Sequence, residues 1–171
     1  FMTHLSTSVY LALLLASPFI LIELFRFITP ALYDNERKYS ARITCTIFLL
    51  FITGVLMSYF VIFPFSIRFL GTYQVSEDVV NMINLSSYIS TFTALTFMMG
   101  IVFQIPVISF FLAKMGILEA EFMAKYRRHA LIIIMILAAI ITPPDIFTLV
   151  LVTIPMYALY ELSILIVKRI N

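Results

Sequence analysis

Carboxylates and amides set inside or beside long apolar runs are the residues of this chain best placed to do chemistry. Glu23 follows the uncharged run Leu5 to Ile22, and Glu161 follows another, Ile146 to Tyr160. Gln104 lies deeper, two residues before Pro106 in the longest run, Val79 to Ala113. Asp145 closes the sequence Thr142-Pro143-Pro144-Asp145. An ionisable group at membrane depth is costly and marks a functional position by default. Glu23 and Glu161 nevertheless fall near helix ends, where snorkelling to water or pairing with Arg26 or Lys168 would serve equally. Gln104 can hydrogen-bond a carbonyl freed by Pro106 or face a cavity. Asp145 is most simply a helix N-cap.

The stretch from Ile28 to Lys38 is the most informative connection. It joins Asp34 and Glu36 to Pro30 and Tyr33. Such a composition can hold an extended peptide carrying guanidinium groups, because a carboxylate accepts Arg through two parallel hydrogen bonds. Arg26, Arg37, Lys38 and Arg42 outweigh the two acids, so local pairing of Glu36 is the alternative. Catalytic constellations are missing. There is no HExxH and no GxSxG, and His4 and His129 are far apart. Asp34, Asp78 and Asp145 all fall in connections, and four glycines form no phosphate cradle. A lone Cys45 in an apolar run provides neither a disulfide framework nor a thiolate metal site. The chain is therefore expected to be no enzyme and to need no cofactor or metal.

The elements that must position these groups follow from composition. Hydrophobic residues make up 63% of the 171 residues, charged residues 12%, and mean hydropathy is +1.09. Soluble proteins carry about 25% charged residues, so lipid is the solvent for most of this surface. A net charge of +2 gives no reason to expect nucleic acid as a partner. About 20 apolar residues cross a bilayer. The runs Leu5 to Ile22, Ile43 to Ile67, Val79 to Ala113, Ala130 to Pro144 and Ile146 to Tyr160 can each hold one helix, with Asn81 to Ser87 a polar lead-in to the third. The fold expected is all-α, a single polytopic bundle over residues 1–171 with five spans. The first run lacks the basic flank and cleavage site of a signal peptide, and the chain, beginning at Phe1, reads as trimmed at its N-terminus.

Basic residues collect on the cytoplasmic side of short loops. Arg68 alone of the 11 Lys and Arg falls in the second connection, and the Pro-Pro turn has none. The other ten share one face, which places the C-terminus in the cytoplasm. Two spans read as short. Ala130 to Thr142 covers roughly 20 Å of a roughly 30 Å hydrocarbon core, and Glu161 interrupts the last helix after a stretch of similar length. A thinned bilayer or a covering partner would accommodate them, as would a tight hairpin with its ends at the interface. Tyr59, Phe63 and Pro64 fit an interfacial aromatic belt.

The order of several short stretches resembles the TatC family of the twin-arginine protein translocase. They are Ser17-Pro18-Phe19-Ile20, Phe27-Ile28-Thr29-Pro30-Ala31-Leu32-Tyr33 with Glu36-Arg37, Tyr59 to Pro64, and Phe103-Gln104-Ile105-Pro106-Val107. Met115-Gly116-Ile117, Tyr126-Arg127-Arg128, Thr142 to Phe147, Ile154 to Tyr157 and Tyr160-Glu161 follow. The resemblance implies a six-helix, cup-shaped membrane protein of which this chain holds helices two to six. It implies a receptor for signal peptides with consecutive arginines that, with small single-span TatA/TatB-type subunits, moves folded proteins across the membrane on the proton-motive force. Phe27 and Glu36 would belong to the signal-peptide site and Thr142 to the partner-docking hairpin, with Asp145 a functionally sensitive acid. A homo-oligomer in the complex and a bacterial inner membrane are expected, a thylakoid membrane being the second possibility. Many family members carry glutamate where this chain has Gln104, and glutamine cannot relay a proton. A secondary-transporter fragment and a purely structural membrane subunit are the competing readings. The first is disfavoured by the lack of an internal repeat.

Overall fold

The computed structural model describes residues 2–28, 37–72, 85–142 and 145–170. Those residues form helices and no strand, the arrangement that satisfies every backbone group within its own segment in lipid. Helix α1 is Met2–Ile28, α2 is Arg37–Met57, and a π-helical turn, Ser58–Ile62, joins α2 to α3, Phe63–Thr72. Next come α4 (Leu85–Val102), α5 (Ile105–Lys114), α6 (Ala120–Lys125), α7 (Arg127–Ile141) and α8 (Ile146–Lys168). Among the described residues four stretches are long and apolar enough to cross a membrane: His4–Phe27, Ala41–Phe69, Ser87–Lys114 and Ile146–Lys168. Helix α7, expected as a further span, is not among them: at 15 residues it covers only about 22 Å.

Proline chemistry explains the breaks. Pro64 has no N–H, and in α geometry its ring would meet the carbonyl of Phe60. The turn before it widens instead, so that Phe63 N donates to Ser58 O, five residues back. Pro106 sits in the first turn of α5 and separates it from α4 at Phe103–Gln104. Helix α5 ends at Gly116, whose φ of +70° suits glycine. Ile117 N donates to Leu112 O and Gly116 N to Ala113 O, each at 3.0 Å, the paired bonds of a Schellman cap.

The buried residues gather where helices cross. Leu95, Met99 and Phe103 meet Ile62, Ile134, Ala138, Val152 and Met156 in one cluster. Phe25, Ile47, Val107 and Phe111 form a second, with the Phe25 and Phe111 rings stacked at 5.4 Å. The π turn is tied to α4 by Ser58 Oγ and Thr96 Oγ1, 3.3 Å apart.

Three expectations are corrected here. Arg68 lies within α3 rather than in a connection, because the helix runs on to Thr72. The last helix is not short: α8 continues through Glu161 to Lys168 over 23 residues, since the carboxylate finds a partner without leaving the helix. The lead-in placed at Asn81 to Ser87 overlaps α4, which starts at Leu85, and its first four residues lie outside the described residues. Phe63 is also more than a belt residue. It is 7% exposed and packs edge-on against Tyr88 and Phe92, whereas Tyr59 stays exposed.

Candidate functional site

The last turn of α1 carries three of the groups singled out in the sequence. Glu23 and Arg26 pair at 3.5 Å on an exposed face, as expected of one turn's spacing. Phe27, on the same turn, is 87% exposed. Other apolar side chains are as open, Ile146 at 85% among them, as expected where lipid is the solvent, and the Phe27 ring stands at the helix end beside the connection that holds Glu36. Glu36 lies outside the described residues; α2 begins at Arg37, directly after it.

Gln104 is 1% exposed, where α5 departs from α4. Its Nε2 donates to Ile47 O of α2 at 3.2 Å. The carbonyl that Pro106 frees in its own helix is therefore not its partner. Helix α4 approaches α2 so closely that the amide reaches across the interface instead. Gln104 Oε1 is buried and has no partner among the described residues.

Thr142 and Asp145 bound the turn between α7 and α8, whose Pro143 and Pro144 lie outside the described residues. Thr142 ends α7, its hydroxyl donating to Ala138 O at 2.8 Å. Asp145 is the N-cap of α8 as expected, Oδ1 accepting from Thr148 N at 2.6 Å. Asp145 Oδ2 and Thr148 Oγ1 are buried without partners among the described residues. Asp145→Ala is expected to cost about 1 kcal/mol of stability, the usual worth of an N-cap, and Asp145→Asn much less. Denaturant titration of the purified protein followed by helicity would check this.

Glu161 is held by Arg127 rather than by Lys168 or Arg26. The guanidinium meets both carboxylate oxygens, Nε to Oε1 at 2.9 Å and Nη2 to Oε2 at 3.1 Å. Tyr157 Oη donates to the same carboxylate at 3.1 Å, and Tyr160 Oη donates to Met123 O at 2.8 Å. Helix α8 is thereby fastened to α7 and α6. Both charged groups stay part-exposed, so the pair fixes register more than it adds stability. Sequence reading missed Arg127 and Tyr157, although Tyr157 and Glu161 stand at the i, i+4 spacing that brings helical side chains together. Among the described residues the structure thus separates the groups into the last turn of α1, the α2–α5 crossing, the turn before α8 and the α7–α8 clamp. Among the described residues no group of His, Cys, Asp or Glu could hold a metal ion.

The family model described as Sec-independent protein translocase protein (TatC) matches residues 1–155. The chain is 44% identical over 151 residues to the Sec-independent protein translocase protein TatC of Blattabacterium sp. subsp. Periplaneta americana, covering 88% of this chain and 57% of that protein. It is 38% identical to TatCy of Bacillus subtilis over 92% of this chain and 62% of that protein. The chain therefore spans about three fifths of the length of these relatives. A crystal structure of the twin arginine translocase receptor TatC in DDM superposes with a TM-score of 0.84 at 33% identity, over 96% of this chain and 73% of that one.

Proposed function

The chain belongs to the TatC family of Sec-independent protein translocase proteins, and from that premise we propose that it is the signal-peptide-receiving core of a twin-arginine translocase. Folded cargo would cross the membrane on the proton-motive force. Both the basic-rich face and the C-terminus would lie in the cytoplasm of a bacterium.

The observation that carries the receptor reading is Phe27, open to its surroundings on the last turn of α1. It immediately precedes the connection that holds Glu36. An exposed ring can take the apolar part of a peptide while a nearby carboxylate takes guanidinium groups. The turn before α8 is the candidate docking place for single-span TatA/TatB-type partners, since the side chain of Ile146 there is 85% exposed and Asp145 Oδ2 has no partner among the described residues. Thr142 would border that contact. Gln104 and Glu161 would act by holding helices in register, and Gln104 carries no proton. Copies of the subunit would assemble side by side in the complex.

Cross-linking tests the receptor reading. A photoreactive residue at Phe27 or Glu36 of the full-length protein in membranes should capture a signal peptide bearing Arg-Arg and capture its Lys-Lys variant much more weakly. The two peptides match in charge and differ in hydrogen-bond geometry. Equal capture of both, or of neither, removes these residues from the receptor site.

A further inference from the structure

A slot of about 270 Å³ opens between α2, α5 and α8. On α2 it is lined by Arg42, Thr46 and Leu50, on α5 by Pro106 and Phe110, and on α8 by Ile166. The single hydroxyl in this wall is already spent, since Thr46 Oγ1 donates to Arg42 O at 2.9 Å. Pro106 has no N–H to offer. Below Arg42 the slot therefore asks for hydrocarbon. At its mouth stands one exposed guanidinium, on the face where α2 begins, α5 ends at Lys114 and α8 ends at Lys168.

The depth of the slot identifies its occupant. From Arg42 to Leu50 the wall of α2 runs about 12 Å, under half of a roughly 30 Å hydrocarbon core. A partner helix would need a groove running the whole span. An occupant one leaflet deep, apolar below and anionic at the top, has the form of a glycerophospholipid. We propose that this slot seats an acyl chain of an anionic phospholipid from the leaflet on the basic face, with its phosphodiester on Arg42. A basic side chain near an anionic headgroup contributes a worthwhile attraction, and a bound lipid would fill the gap between α2 and α8 that their own side chains leave. The inference needs the membrane span alone and does not depend on the translocase reading.

Native mass spectrometry of the full-length protein, supplied with equal phosphatidylglycerol and phosphatidylethanolamine, tests it. The protein should retain phosphatidylglycerol about fivefold over phosphatidylethanolamine, the effect of one basic residue at an anionic headgroup. Arg42→Gln, a change at an exposed position, should abolish that preference. Leu50→Phe, which fills the slot, should lower retention of both lipids, with helicity measured alongside to confirm folding. Should the preference survive in Arg42→Gln, or retention be unchanged in a folded Leu50→Phe protein, the slot holds no lipid. Displacement of bound phosphatidylglycerol by a stoichiometric Arg-Arg signal peptide would equally overturn the proposal, giving the slot to the peptide.

Discussion

Gly54→Ala is expected to lower stability by about 1–3 kcal/mol, the usual cost of overpacking a close-packed interior, and Gly54→Val by more. A Cβ at Gly54 would stand 2.6 Å from the carbonyl oxygen of Met99, and backbone cannot rotate aside as a side chain can. Helices α2 and α4 would have to separate, which loosens the contacts that Phe51 and Met99 make. Gly100 faces the same interface from the other side, where a Cβ would meet the Phe51 ring at 2.5 Å. Phe51 is 1% exposed, so that ring has nowhere to move. Gly71, where a Cβ would meet nothing within 4 Å, is the control: Gly71→Ala should leave stability unchanged or slightly raised, since alanine is the better helix former. Thermal unfolding in detergent, followed by helicity, would rank the variants. A tolerated Gly54→Val would show that α2 and α4 are not held at this distance.

The second large effect is expected at Gln104. Gln104→Ala should cost about 2 kcal/mol or more, because it opens a cavity in a site that is 1% exposed and deletes the bond to Ile47 O. Gln104→Leu keeps most of the volume. It loses one interhelical hydrogen bond, worth about 0.6 kcal/mol on average in a membrane, and removes an acceptor that has no partner among the described residues. The leucine variant should therefore stay within about 1 kcal/mol of the parent. Measuring both stability and export of a twin-arginine reporter separates two roles. Export that falls in a stable leucine protein assigns Gln104 to transport. Export that tracks stability through both variants leaves it a packing residue. If leucine destabilises as much as alanine, hydrogen bonding rather than volume governs the site.

How much of this was legible depended on whether a feature was local. The helical character of the apolar runs, the N-cap at Asp145 and the Glu23–Arg26 pair follow from spacing within a few residues and are found in the structure, whereas the ends and breaks of the runs are not where the sequence put them. The Arg127–Glu161 clamp was within reach but missed. Arg127 lies 16 residues before Pro143 and Glu161 lies 17 after Pro144. In an antiparallel hairpin, residues equidistant from the turn are neighbours, so the Pro-Pro turn already brought them together. The partner of Gln104 is 57 residues away in sequence, and only the angle at which α4 meets α2 decides which carbonyl it reaches. No pattern in the sequence encodes that angle. For the same reason the four groups of candidate residues could be named in advance but not assigned to four separate places.

The π turn at Ser58–Ile62 lets its helix address a second neighbour. A turn closed five residues back holds, in effect, one extra residue, and in a helix of 3.6 residues per turn that rotates all that follows by about 100°. Before it, the inward stripe of the span, with Phe51 and Gly54, is turned toward α4. After it, Phe63 still packs on Tyr88 and Phe92 of α4, while Phe69 reaches α8, its ring stacked on Phe147 at 4.6 Å. One continuous rod thus serves two neighbours in succession, and Pro64, which cannot close the narrower turn, keeps the extra residue in place.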